Sequence, residues 1–202
     1  DFLSAEIEVV PAGKAKDLGI DKSMVISYGQ DDRVCAFAGV KAIFEVEKPE
    51  YTAVTLCVDK EETGSYGNTG MHSKFFENTV AELINLQGNY SDLKIKRAMS
   101  RSRILSGDVN AAYDPNFSSV YEKANSAHMG GGVAIMKYSG SRGKSGTSDA
   151  NAEFVCEVRR IFNQENVVWQ TGELGKVDQG GGGTVAYILA NYGAEVLDCG
   201  VG

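Results

Sequence analysis

The chain has 202 residues, 43% hydrophobic and 23% charged, which is ordinary for a soluble globular protein and enough for one sizeable core or a core plus an appendage. A formal net charge of −7, with no basic patch to neutralise phosphates, argues against a nucleic-acid binder. No apolar run is long enough to span a bilayer, and no signal-peptide pattern is seen, so a membrane partner is not expected.

In chain order, Ala5 to Val10 alternates apolar and acidic residues and predicts a strand, stopped by Pro11, which cannot donate to a sheet ladder. Lys14 to Lys22 is a polar connection. Met24 to Tyr28 predicts a second short strand. Val34 to Val46 carries apolar residues at helical spacing, with Asp31 and Asp32 just ahead, where negative charge suits a helix N-terminus. Tyr51 to Val58 predicts a buried strand that runs straight into Asp59-Lys60-Glu61-Glu62. A glycine-rich loop follows from Gly64 to Gly70, then helices from His72 to Leu86 and from Asp92 to Ser100. Ile104-Leu105-Ser106-Gly107-Asp108 is another apolar segment closing on an acid, and Asn110 to Gly132 reads as irregular.

The remainder alternates. Val133 to Tyr138 predicts a strand, and Ser139 to Thr147 a loop of small residues. Ser148 is the expected N-cap of a helix reaching Asn166, and Val167 to Leu174 a strand. Gly180 to Gly183 opens a helix from Thr184 to Tyr192, and Glu195 to Asp198 is the last strand. Such alternation predicts an α/β layered domain with a largely parallel or mixed sheet. The four cysteines, Cys35, Cys57, Cys156 and Cys199, are widely spaced beside apolar runs and form no CxxC pair. They read as small core residues in a reduced compartment rather than a disulfide or zinc framework.

Three apolar segments end in acids: Asp31, Glu61-Glu62 and Asp108. Sites in open α/β sheets form outside the carboxyl ends of strands, so these carboxylates are placed to converge. Crowded acids repel, and a cation among them removes that cost. Carboxylate oxygens suit divalent metals, and a bridging carboxylate holds two of them about 3.5–4 Å apart, activating water and a carbonyl while an unligated carboxylate moves the proton. Adjacent Glu61 and Glu62 point in opposite directions on an extended chain, which would separate those two jobs. On pattern alone the same acids also read as solvated turns. Ser139-Gly140-Ser141-Arg142-Gly143-Lys144-Ser145 superficially suggests a phosphate-binding loop, but Tyr138 stands where that loop requires glycine.

Four stretches in order carry a family resemblance: Tyr28-Gly29-Gln30-Asp31-Asp32-Arg33-Val34-Cys35, Asp59-Lys60-Glu61-Glu62-Thr63-Gly64-Ser65, Ser106-Gly107-Asp108-Val109-Asn110-Ala111-Ala112 and Gly180-Gly181-Gly182-Gly183-Thr184-Val185-Ala186. Together they resemble the aminopeptidase I/aspartyl aminopeptidase family of co-catalytic zinc metallopeptidases, over essentially the whole chain. The resemblance implies a layered mixed sheet of the zinc-aminopeptidase (phosphorylase/hydrolase-like) type. It implies a cofactor of two divalent metals, zinc first and Mn or Co as substitutes. Asp31 would bridge them, Glu62 and Asp108 would each ligate one, and Glu61 would be the general base. Asp32 and Arg33 would support the ligands, and Gly181, Gly182, Gly183 and Thr184 would bind substrate. Expected partners are a peptide substrate and further copies of the chain, dimers assembling to a dodecamer. The expected location is cytoplasmic, with a vacuolar or lysosome-like compartment for some relatives.

The chain departs from the family pattern in its histidines. The family uses one imidazole ligand per metal, before the bridging Asp and after the last strand seen here, whereas this sequence has only His72 and His128. Both read as bland surface, helix-start or loop residues. The expectation is therefore an internal portion of the family's chain. Residues 1–22 would be the returning end of an inserted dimerisation domain, and residues 23–202 a partial catalytic domain. The opening Asp1-Phe2-Leu3 and the closing Asp198-Cys199-Gly200-Val201-Gly202 both look cut from something longer. A His-x-Asp upstream and a Met-His-Ser downstream would complete the site. Without them the expectation is an inactive fragment or scaffold that binds zinc weakly.

Overall fold

A computed structural model describes residues 2–202. A short antiparallel hairpin, β1 (Lys16–Leu18) with β2 (Met24–Ile26), leads through Gly29 into α1 (Gln30–Glu45). After an extended segment and a tight turn come α2 (Phe75–Leu86), α3 (Asp92–Ser100) and β3 (Arg103–Ser106). Then follow β4 (Val133–Met136), β5 (Tyr138–Ser141), β6 (Ser145–Asp149), α4 (Ala152–Gln164), β7 (Trp169–Thr171), α5 (Ala186–Ala190) and β8 (Glu195–Val201).

The main sheet has the order β3-β8-β4-β7 and is mixed: β8 runs parallel to β3 and antiparallel to β4, and β4 runs parallel to β7. Successive strand residues face opposite sides, and β8 shows this directly. Val196 packs with Met71, Ala186, Ile188 and Leu189 on one face, while Leu197 packs with Ile135, Phe154 and Val158 on the other. The sheet is therefore covered on one side by α5 and the start of α2, and on the other by α4. This is the layered α/β architecture that the alternating sequence pattern predicts. Local signals agree with the helices. Ser91 caps α3 by accepting from the Lys94 amide, and Ile95 and Met99, four apart, form its buried stripe. Phe154 and Val158 do the same for α4.

Several predicted elements differ. Ala5 to Val10 forms no strand and is exposed throughout. Residues 51–58 form no strand and join no ladder among the described residues; Leu56 and Val58 pack against the core, and the Thr55 hydroxyl donates to the Gly39 carbonyl at 2.9 Å. Residues 51–54 and Cys57 are exposed, so the run predicted as a buried strand is buried in part only, at its end. The supposed loop from Ser139 to Thr147 is the β5–β6 hairpin, turning at Arg142 (φ 54°) and Gly143 (φ 69°), because small polar residues hide a strand from a hydrophobicity reading. With Ser148 inside β6, the cap of α4 moves to Asn151. All four thiols are free, but Cys57 and Cys156 are exposed rather than in the core; Cys156 lies on α4 away from its buried stripe. Among the described residues no helix is long and apolar enough to cross a membrane.

Candidate metal centre

Gly29, at φ 72°, turns the chain from β2 into α1, and the first turn of α1 is irregular at Asp31 and Asp32. Arg33 closes that turn: its Nη1 donates to the Tyr28 carbonyl at 2.9 Å and its guanidinium lies over the Tyr28 ring at 5.6 Å. It therefore supports the backbone just before Asp31. Asp108 follows β3 through Gly107 and crosses β8 at Gly200, where any Cβ would collide with the Asp108 carbonyl oxygen. The Asn110 amide then donates to the Val201 carbonyl at 2.7 Å, fixing the segment to β8.

Glu61 and Glu62 lie in a 3₁₀ turn, Glu61–Thr63, flanked by Lys60 (φ 66°) and Gly64 (φ 97°). The turn is closed by the Ser65 amide on the Lys60 carbonyl at 2.6 Å, and the His72 amide reaches the Ser65 carbonyl at 3.1 Å. Gly70 permits this closure, since a Cβ there would overlap the Ser65 carbonyl. The extended chain expected here is a tight turn instead, in which Glu61 is half-buried and Glu62 exposed.

Asp31, Asp32 and Asp108 each bring a carboxylate oxygen within 4.8 Å of the others. Asp31 and Asp108 were expected as ligands and Asp32 as support; the structure places Asp32 in the same group, and Glu62 does not join it. Burial, reinforced by the charges of Asp31, Glu61 and Asp32, pushes the Asp108 carboxyl up to about 8. Burial also raises Glu61, with Glu62, Asp31 and Asp32 adding to it, so Glu61 faces the same cluster. Asp32 is raised by burial and by Asp31, against a hydrogen bond from Cys35, and one of its oxygens is buried without a hydrogen-bond partner. These are the marks of a carboxylate nest that a cation would relax. The donor set fits divalent ions: closely spaced oxygens, an orphaned buried acceptor, and shifts that a positive charge reverses.

Neither histidine belongs to the cluster. His72 stacks on Tyr66 with centroids 4.5 Å apart, and its Nε2 lies 3.0 Å from the Tyr187 hydroxyl, linking the Glu61 turn to α5. That contact was not legible in sequence, because 115 residues separate the partners. His128 is exposed, 6.3 Å from the Tyr113 ring centroid.

The glycine run lies along β5. The Gly140 amide donates to the Gly182 carbonyl at 3.0 Å and the Arg142 amide to the Gly180 carbonyl at 2.7 Å. The N–H groups of Gly181, Gly182 and Gly183 have no backbone acceptor among the described residues. Thr184 is buried with its hydroxyl turned inward, donating to Asp198 Oδ1 at 2.7 Å. It anchors the loop and does not present its side chain outward.

Comparison with known proteins finds relatives for the chain and its fold. The family model for aminopeptidase I zinc metalloprotease (M18) matches residues 1–202. The chain is 60% identical over 201 residues to a probable M18 family aminopeptidase 1 from Clostridium acetobutylicum, covering 100% of this chain and 43% of that protein. It is similar to the crystal structure of aminopeptidase I from the same organism, with a TM-score of 0.87 and 58% identity over 98% of this chain and 42% of that one. A more distant similarity is to the S. cerevisiae mApe1 dodecamer, with a TM-score of 0.71 and 26% identity over 93% of this chain and 41% of that one. The chain thus spans less than half the length of these relatives.

Proposed function

This chain belongs to the aminopeptidase I zinc metalloprotease (M18) family, and on that premise we propose that it supplies carboxylate ligands, general base and substrate loop to an enzyme that hydrolyses the N-terminal residue from peptides. The observation that carries this reading is the convergence of Asp31, Asp32 and Asp108 oxygens within 4.8 Å, with Glu61 raised by burial and by the charges of Glu62, Asp31 and Asp32. Asp31, Asp108 and Glu62 would hold the divalent metals, zinc first, with Asp31 shared between them, and Asp32 borders the same nest. The metals, when bound, supply Lewis-acid activation of water and of the scissile carbonyl.

The chain's own residues do the rest. Glu61, half-buried and raised above the ordinary carboxylate range, takes the proton from the attacking water and returns it to the departing amine as the carbon–nitrogen bond breaks. The free N–H groups of Gly181, Gly182 and Gly183 are donors for the substrate backbone. Residues 1–22 are the end of an inserted dimerisation domain and residues 23–202 most of a catalytic domain. Asp1 lies outside the described residues, and the boundary falls in the β1–β2 turn. The protein assembles from dimers to a dodecamer, a reading supported by the mApe1 similarity. Its four free thiols suit the cytoplasm.

A second reading follows from the two histidines, both away from the acids: the 202-residue chain alone is a scaffold without turnover, because zinc sites ordinarily include imidazole. The test is hydrolysis of aminoacyl p-nitroanilides by this chain and by a polypeptide carrying it at the length of its relatives. Chelator-sensitive release restored by zinc or manganese, from free but not N-acetylated substrates and only in the longer polypeptide, is expected. Equal cleavage of acetylated substrates would refute the aminopeptidase reading, and turnover by the short chain would refute the scaffold reading.

A further inference from the structure

Asp198 sits in the middle of β8, 2% exposed, between β3 and β4. A carboxylate in such a position is costly unless its oxygens are satisfied. Both are. Thr184 Oγ1 donates to Oδ1 at 2.7 Å and Ser139 Oγ donates to Oδ2 at 2.9 Å. These two donors come from the two elements that shape the glycine loop. Thr184 ends the loop, and its hydroxyl also accepts from the Ala186 amide at 3.2 Å, starting α5. Ser139 precedes Gly140, whose amide holds the Gly182 carbonyl at 3.0 Å. One buried carboxylate therefore ties the end of the loop and the strand beneath it to the same strand of the main sheet.

The arrangement fixes an orientation. With the carbonyls of Gly180 and Gly182 drawn down onto β5, the amides of Gly181, Gly182 and Gly183 are left without backbone acceptors. A run of four glycines has no side chains to hold this conformation and loses the most entropy on being ordered, so an anchor outside the run is needed. Asp198 also lies two residues from Gly200, on the same face of β8 by strand periodicity, and Gly200 is where Asp108 crosses the strand. β8 is thus a common rail for the acid that ends β3 and for the glycine loop.

We propose that Asp198 is a positioning residue that sets the glycine loop, whose amides lack backbone acceptors, in register with the carboxylate cluster through β8. This inference rests on the aminopeptidase reading for its consequence but on the hydrogen bonds for its existence. The experiment compares wild type, Asp198→Asn and Ser139→Ala in the active longer polypeptide, loaded with zinc, on an aminoacyl p-nitroanilide, with exchange of the Gly140 and Arg142 amides, which hold the loop through the Gly182 and Gly180 carbonyls, followed by NMR in the 202-residue chain. Expected are a rise in KM of about tenfold or more, with kcat and bound zinc within about twofold, and exchange of those two loop-holding amides faster by about tenfold in both variants. A lowered melting temperature with KM and loop exchange unchanged would overturn the proposal, as would loss of kcat and zinc with loop exchange unchanged. If wild type cleaves no aminoacyl substrate, the aminopeptidase reading fails, and the exchange rates alone decide the role of Asp198. If Asp198→Asn does not fold, Ser139→Ala, which removes one bond and leaves the carboxylate, carries the test.

Discussion

The stretch from Phe2 to Val58 and the sheet from Arg103 to Val201 are built in opposite ways. The first contains no buried residue, and its helix α1 leaves Phe37 and Phe44 at 68% and 84% exposure. The second holds Ile135, Met136 and Leu197 at 1%, 1% and 0%. The carboxylate cluster straddles the two, with Asp31 and Asp32 from the thinly packed part and Asp108 from the packed one. Half of the candidate site is therefore held by a core and half by local turns. A cation bound by all three acids would bridge regions that apolar burial joins weakly.

The largest effect is expected where packing is densest. Leu197→Ala removes a fully buried side chain from the cluster with Ile135, Phe154 and Val158. It should lower stability by about 2–5 kcal/mol in denaturant unfolding. A cost under about 1 kcal/mol would mean that the sheet is not the stable half.

A smaller effect involves pH. Burial raises the Asp198 carboxyl, against the hydroxyls of Ser106, Thr184 and Ser139, which pull it down. The folded chain therefore binds this proton more tightly than the unfolded chain does. The stability so gained is fully present below the ordinary carboxylate pKa and is lost as pH rises through the higher folded value. Asp198→Asn should flatten that fall in stability curves measured from acid to neutral pH; an unchanged slope would assign it to other groups. The smallest effect belongs to the thin half, where Phe37→Ala should change stability by no more than about 0.5 kcal/mol. A loss of about 2 kcal/mol or more would erase the contrast between the two regions.

The same contrast governs how much could be read from sequence. The layered α/β class was legible because α3, α4 and β8 carry their own burial patterns. Asp31 and Asp108 were legible because each ends an apolar run. Asp32 was assigned to support by the family resemblance; the irregular first turn of α1 brings an oxygen of each of Asp31 and Asp32 close to Asp108, which no spacing rule encodes. Asp198 was taken only as the end of the last strand. Its signal was an acid within the apolar run Val196-Leu197-Asp198-Cys199, a position that demands partners. Residues 51–58 were misjudged because ladder pairing depends on neighbours that a local pattern does not contain.

The central claim is that Glu61 moves the proton while aspartates and Glu62 hold metal. It is tested most directly by measuring bound metal and turnover together in Glu61→Gln, in the longer polypeptide loaded with zinc. The account predicts metal content equal to wild type and turnover lower by about 10²–10⁴-fold, the usual contribution of a positioned general base. Turnover within a few-fold of wild type, or metal lost in step with activity, would contradict it.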